Sequence, residues 1–193
     1  LGLLAGVNAS MFQEDRLTSV SLMRSRHHVN NPRLAATHRA VLVFDRLDAS
    51  VPPVQILDRD AQPFAELARH YGSQVQSIRM IALDGRNVWE QRDTKYSVAA
   101  IGIDRSGHVL FIHSGVPASV HDLIESLRAL PLELRNAIYV EGGPTAQMYV
   151  GTGGEVLEAT GAYEAGFLRE GETADPIPVP NIIGVARRGQ EAR

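Results

Sequence analysis

In NAIYVEGGPTAQMYV, residues 136–150, an apolar run stops at one carboxylate, two glycines and a proline, and a second alternating run comes after them. Both runs carry the β-branched and aromatic residues of strands, and the glycines mark the turn between them. Adjacent glycines admit positive φ and bring backbone N–H groups forward, so Gly142 and Gly143 are a candidate anion-holding concavity, to which Thr145 adds a hydroxyl. Glu141 has two readings: a solvated turn residue, or a carboxylate held at a strand end for chemistry.

Working outward, strand-like runs dominate. Leu3 to Val7, Thr18 to Met23, Arg39 to Asp45, Val54 to Leu57 and Val75 to Ile81 each alternate or carry β-branched residues between turn residues. Val98 to Ile103 and His108 to His113 flank Asp104-Arg105-Ser106-Gly107, the clearest hairpin of the chain. Gly151-Thr152-Gly153-Gly154 turns into a further strand over Glu155 to Ala159, and Asn181 to Ala186 is the last. Two helices are expected. Pro63 to Tyr71 is short and stopped by Gly72, whereas Ser119 to Leu130 has one apolar face of Val120, Leu123, Ile124 and Leu127, with Ser119 as N-cap and Asp122 at capping-box spacing. Many strands with a few short packed helices give an α+β fold on a curved, largely antiparallel sheet.

The chain has 193 residues, enough for one domain with a sizeable core, and the expectation is a single domain over 1–193. Its start inside an apolar run, without methionine, suggests that residues upstream of Leu1 are missing. A formal charge of -3 and the lack of a Lys/Arg stripe argue against nucleic acid. Cysteine is absent, which removes disulfides, thiolate metal sites and a cysteine nucleophile. No apolar run approaches the roughly 18 to 20 residues of a membrane helix, so no transmembrane segment is expected. The tail Arg187 to Arg193 is polar enough to fray.

Several other polar residues stand where chemistry is conceivable. Asn8 ends the first strand and reads either as a turn residue or as a hydrogen-bonding partner for a sugar or phosphate. His27-His28-Val29-Asn30-Asn31 concentrates imidazole and amide groups; neighbouring strand residues face opposite sides, so metal ligation by both histidines is disfavoured, while His28 and Asn30 are candidates for substrate hydrogen bonding. Arg79 lies in an apolar run, where a guanidinium is either a structural ion pair or an anion clamp. His113 and His121 flank a loop and a helix start. Trp89 reads as core or lid.

The order of VNASMF (7–12), HHVNNPRL (27–34), VQSIRMI (75–81), NVWEQ (87–91), YSVAAIGIDRSGHVLFIHS (96–114), SVHDLIESLRALPL (119–132), AIYVEGGPTAQMYV (137–150) and PIPVPNIIGVA (176–186) resembles the phosphodiester glycosidase family along the whole chain. The resemblance implies an α+β fold and hydrolysis of a sugar 1-phosphodiester at the glycosidic carbon–oxygen bond. It matches Asn8 to the family's Asn-Ala/Gly-Gly/Ser-Met-Phe motif and Glu141, Gly142 and Gly143 to its acidic-Gly-Gly motif. It also implies an exported protein, periplasmic or extracellular. Many relatives have Asp where Glu141 stands and Gly-Ser at Pro144-Thr145. Many also place an arginine just before the Ala-Ile-Gly, where this chain has Ser97-Val98; Arg79 or Lys95 is the candidate replacement for that charge.

The chemistry suits such a site. An ordinary glycosidase needs two carboxyl groups. A phosphate monoester is already a good anionic leaving group, with a second pKa near ~6, so the strong acid can be dispensed with. The expected catalytic residues are therefore Glu141, Asn8 and Arg79, with Gly142, Gly143, Thr145, His28, Asn30 and Lys95 binding a sugar phosphodiester or phosphorylated glycan. No metal ligands are assigned and no cofactor is required, although a divalent cation would fit a second reading, a metal-assisted phosphodiesterase built from Glu141, Asp104 and a histidine. A third is a non-catalytic envelope module binding a glycan or anionic polymer.

Overall fold

A computed structural model describes residues 2–164 and 176–187; the rest of the tail expected to fray, residues 188–193, lies outside the described residues. Its strands are β1 (Leu3–Asn8), β2 (Met23–Arg24), β3 (Val29–Asn31), β4 (Ala40–Arg46), β5 (Val54–Asp58), β6 (Tyr71–Ile81), β7 (Val98–Asp104), β8 (Val109–His113), β9 (Leu134–Gly142), β10 (Gln147–Thr152), β11 (Glu155–Thr160) and β12 (Ile182–Ala186). The helices are α1 (Phe64–Leu67) and α2 (Val120–Ala129). Every ladder between these strands is antiparallel. They form a small sheet ordered β11-β10-β1-β12 and a large one running β3-β2-β6-β9-β7-β8, with β4 on β6 and β5 on β4. This is the antiparallel α+β architecture that the alternating runs imply.

Alternation along each strand sorts its side chains between two cores. One cluster, with Val7, Ala9 and Ala146 meeting Leu42, Ile101, Ile138 and Val140, lies between the sheets. The other face of the large sheet packs Met80, Ile81, Val98 and Ala100 against Ile124 and Leu127 of α2. Each fully buried Leu or Ile in these clusters contributes about 1.5–3 kcal/mol of transfer free energy. The α2 N-terminus obeys its sequence signal, since the Ser119 hydroxyl accepts the Asp122 N–H at 3.1 Å. The Asp122 carboxyl sits below its ordinary range, held first by its bond with Ser119 and then by His121 and Gln91.

Three local expectations change. Thr18 to Met23 is not a strand: only Met23 joins β2, while Ser19 makes a lone bridge with Phe12. Buried Gln76 takes over the segment's pairing, for its side-chain oxygen accepts the Leu22 N–H and its backbone oxygen accepts the hydroxyls of Ser10 and Ser21. The helix expected over Pro63 to Tyr71 is one α turn and then a 3-10 turn at Ala68–His70, and Tyr71 and Gly72 already belong to β6. No side chain caps its start, and Tyr71 packs instead into a third cluster with Val41, Val43 and Leu57. The short strand β3 falls inside the polar run carrying His28 and Asn30.

Candidate functional site

The EGGP segment does not close a hairpin. β9 belongs to the large sheet and β10 to the small one, so residues 142–147 cross between the sheets. Glu141 is aimed at this crossing by a β-bulge. Tyr139 pairs with Ala100 but Glu141 pairs with Ala99, leaving Val140 as the extra residue on β9. Tyr139 faces the α2 side, and strict alternation would send Glu141 there too. The bulge instead sets it opposite Ala99, whose side chain belongs to the cluster between the sheets.

Glu141 is 8% exposed, and burial raises its carboxyl above the ordinary range, opposed first by the Gly142 N–H and then by the nearby Thr145 hydroxyl, which itself donates to the Gly142 carbonyl at 3.0 Å. The Gly142 N–H donates to its Oε1 at 3.0 Å. The crossing segment is then fixed from several elements. Asn8, buried at the end of β1, donates from Nδ2 to the Thr145 carbonyl at 2.9 Å and accepts the Gln147 N–H on Oδ1 at 2.7 Å. His113, at the end of β8, lies opposite Ala99 on the other side from Glu141, and its Nε2 bonds the Ala146 carbonyl at 3.1 Å. A carbonyl only accepts, so Nε2 carries the proton; burial lowers this imidazole's pKa and favours its neutral form. The Gly161 N–H reaches the same carbonyl at 2.8 Å, and the Gly143 N–H donates to the Ser97 carbonyl at 2.8 Å. These bonds to Asn8, His113, Ser97 and Gly161 hold the segment as a strut between the sheets.

The two glycines are required by close approach. A Cβ on Gly142 would lie 2.0 Å from the Tyr139 hydroxyl and 2.8 Å from the Tyr96 ring, and one on Gly143, at φ 64°, would lie 2.7 Å from the Tyr163 ring. Tyr139 stacks on Trp89 with ring centroids 5.3 Å apart, which makes Trp89 part of the core. Burial, and after it the neighbouring Tyr96 and Glu141, drives the Tyr139 phenol strongly upward, so it stays protonated. The Gly142 and Gly143 amides expected to cradle an anion are thus engaged within the protein.

The structure brings Glu141 and Asn8 to the same crossing segment, Glu141 through the Gly142 N–H and Asn8 through Thr145 and Gln147, but not the rest of the expected set. Arg79 sits opposite Ile138, three residues back along β9, and its guanidinium pairs with Asp58 at 2.6 Å and Asp60 at 3.1 Å. The ion-pair reading of Arg79 therefore replaces the anion clamp, because Asp58 is 3% exposed and needs a cation. Lys95 pairs with Glu164 at 3.1 Å on the surface. Asn30 spends its amide on Ser19 N–H and the Leu17 carbonyl, while exposed His28 lines a groove of about 290 Å³ with Ala9, Arg24 and Asn181. Asp104 caps the β7–β8 turn through the His108 N–H and ring, at the opposite end of β7 from Ala99 and Glu141. The metal-assisted arrangement of Glu141, Asp104 and a histidine is therefore not assembled, and among the described residues no group of three metal-ligating side chains gathers. No described helix is long and apolar enough to cross a membrane.

Ser97-Val98 is the pair where the resemblance implied an arginine, and Ser97 takes part in the packing around the crossing segment. It is fully buried, its hydroxyl accepts the Ala162 N–H at 2.9 Å, and a Cβ on Gly161 would lie 2.6 Å from its own Cβ. Sequence reasoning missed Gln147 here, and it named His113 and Ser97 without placing either against the crossing segment.

The family model for phosphodiester glycosidases matches residues 2–186. The chain belongs to the phosphodiester glycosidase family. Among solved structures, the zebrafish N-acetylglucosamine-1-phosphodiester alpha-N-acetylglucosaminidase catalytic domain, auto-inhibited by its pro-peptide, superposes with a TM-score of 0.65 at 13% identity. That match covers 97% of this chain but 64% of the zebrafish chain, and at this identity it speaks for the fold. No curated protein matches the sequence significantly. In this member of the family, the acidic-Gly-Gly motif at 141–143 is the bulged end of β9, and Asn8 is the residue that ties the crossing segment to β1.

Proposed function

We propose that this phosphodiester glycosidase family member hydrolyses the glycosidic carbon–oxygen bond of a sugar 1-phosphodiester, with Glu141 as its carboxylate. The observation that carries this reading is the buried Glu141 carboxyl, turned by a bulge onto the strut that Asn8 also holds. A carboxylate raised by burial is a better base than a solvated one, suited to take the proton of a water adding to the anomeric carbon. The C1–O bond breaks with its electron pair leaving on the phosphate monoester, which needs no proton from a second strong acid. The Gly142 N–H orients Glu141, and Asn8 holds the crossing segment through Thr145 and Gln147. With Arg79 and Lys95 held in ion pairs, the positive charge for the phosphate is better sought at Arg24, in the groove beginning at Ala9 where His28 adds a hydrogen-bonding ring.

The test is hydrolysis of a panel of sugar nucleotides and alkyl glycosyl phosphates in heavy-oxygen water. The label is expected on the sugar, and Glu141→Gln is expected to slow turnover by about 10²-fold or more. Label on the phosphate, or a wild-type rate for Glu141→Gln, would sink the proposal. Binding across the panel without turnover would instead support the glycan-binding module, the reading motivated by Ser97-Val98 standing where the resemblance implies an arginine.

A further inference from the structure

Glu141, Ala99 and His113 form one row across β9, β7 and β8, on the face turned to the small sheet. Ser97, just before β7, is the next residue on that face. Over it lies the chain leaving β11, where residues 161–164 run antiparallel to residues 95–97. The Ser97 N–H donates to the Ala162 carbonyl at 2.8 Å, the Ala162 N–H to Ser97 Oγ at 2.9 Å and the Glu164 N–H to the Lys95 carbonyl at 3.3 Å. Tyr96 and Tyr163 are bridged between them. Gly161 is pressed so closely onto the crossing segment that a Cβ there would collide with the Gly143 carbonyl and lie 3.1 Å from the Ala146 Cβ. The Tyr163 ring lies against Gly143. Residues 161–164 thus cover the end of the row in which Glu141 is 8% exposed.

We propose that residues 161–164 are a strap that closes the Glu141 site and lifts to admit the substrate. The strap is weakly held. Gly161 and Ala162 carry little apolar surface, and Tyr163 is 57% exposed. Its side-chain latch is the Lys95–Glu164 pair at 3.1 Å, whose members are 46% and 60% exposed, and such a pair stabilises little. A segment with few buried apolar contacts opens locally without the rest of the fold. What lies beneath it keeps other partners. When Gly161 leaves, the Ala146 carbonyl retains the His113 Nε2–H, the Gly143 N–H stays on the Ser97 carbonyl, and Tyr96 stays bridged to Ala118. Lifting frees the Ser97 N–H, and a Ser97 hydroxyl otherwise bonded only to the Gly115 carbonyl at 3.5 Å. Both are donors suited to a phosphate oxygen, on the face that carries Glu141.

The inference rests on the glycosyl phosphodiester reading for what enters the site, but the motion is tested without turnover, by amide hydrogen exchange read residue by residue. Protection of the Ser97, Ala162 and Glu164 amides is expected to be at least about tenfold lower than that of Gly143. Glu164→Ala should lower it by up to about fivefold more, the upper end for an exposed ion pair, and leave Gly143 unchanged. Its kcat/KM should rise by the same factor, as for a gate whose open state is minor. A disulfide tests the closed state. The Lys95 and Glu164 side chains already meet, paired strand residues stand about 5.5 Å apart, and the chain has no cysteine of its own. Oxidation of the Lys95→Cys/Glu164→Cys protein is expected to raise strap protection to that of Gly143 and to lower kcat/KM at least about tenfold, with reduction restoring both. Strap protection equal to Gly143 in wild type, or full activity in the oxidised protein, overturns the strap. Should the disulfide not form, Glu164→Ala decides, because faster exchange with an unchanged kcat/KM overturns the gate. If no form hydrolyses any phosphodiester, the hydrolase reading falls and the exchange result still decides whether the strap opens.

Discussion

Replacing Asn8 with alanine isolates the tie between β1 and the strut. The substitution removes two hydrogen bonds, Nδ2 to the Thr145 carbonyl at 2.9 Å and the Gln147 N–H to Oδ1 at 2.7 Å, from a side chain only 2% exposed. Each partner left without its bond costs about 1–3 kcal/mol when buried. Thr145 and Gln147 are half-buried, so water relieves part of this, and a loss of about 2–3 kcal/mol is expected. With an m-value of about 2 kcal/mol/M, the urea midpoint should fall by about 1–1.5 M, read by circular dichroism. Asn8→Asp is the sharper variant. Its carboxylate still accepts the Gln147 N–H but sets a second oxygen against the Thr145 carbonyl, so at neutral pH it should be no more stable than Asn8→Ala. On acidification its protonated form donates to that carbonyl and regains stability. An Asn8→Ala midpoint within about 0.2 M of wild type would refute the claim that these bonds hold the site together.

Other outcomes depend on the charges. Arg79→Met leaves the Asp58 carboxylate buried without its cation and should cost about 3 kcal/mol by urea denaturation, while kcat/KM of the folded fraction stays unchanged; a selective loss of kcat would return Arg79 to the site. Glu141 binds its proton more tightly folded than unfolded, so unfolding releases that proton between the ordinary value of 4.5 and the raised one. Stability should therefore decline as pH rises through that window, and Glu141→Gln should lack the decline. Urea midpoints taken across the acid-to-neutral range that run parallel for the two proteins would contradict a raised Glu141.

The parts legible in the sequence are those written in one segment. The β7–β8 hairpin has its polar turn between two alternating runs, and α2 has its cap and its apolar face within one short stretch. What depends on a distant partner was not legible. Thr18 to Met23 has a strand's composition, but the Gln76 side chain, far along the chain, supplies the pairing that a neighbouring strand would give. Arg79 shows its cost in the sequence but not its remedy, because Asp58 reaches it only after β5, β4 and β6 have stacked side by side. At the site, Glu141 and Asn8 could be singled out by type and by the resemblance. That the Gly142 and Gly143 amides are already spent could not, since their acceptors lie on the Glu141 side chain and on Ser97.

The extra residue at Val140 also bears on how this site is inherited. A one-residue deletion at 140 would restore plain alternation after Tyr139 and still leave Glu141 opposite Ala99, whereas a strand straightened with Val140 kept in the ladder would send Glu141 to the helix-covered face. The bulge, rather than the residue count of β9, sets the direction of Glu141. In a relative without the bulge the acidic residue follows the α2-facing aromatic directly, so a gap placed one position late would equate that acid with Val140. Such an alignment would preserve the strand and lose the site.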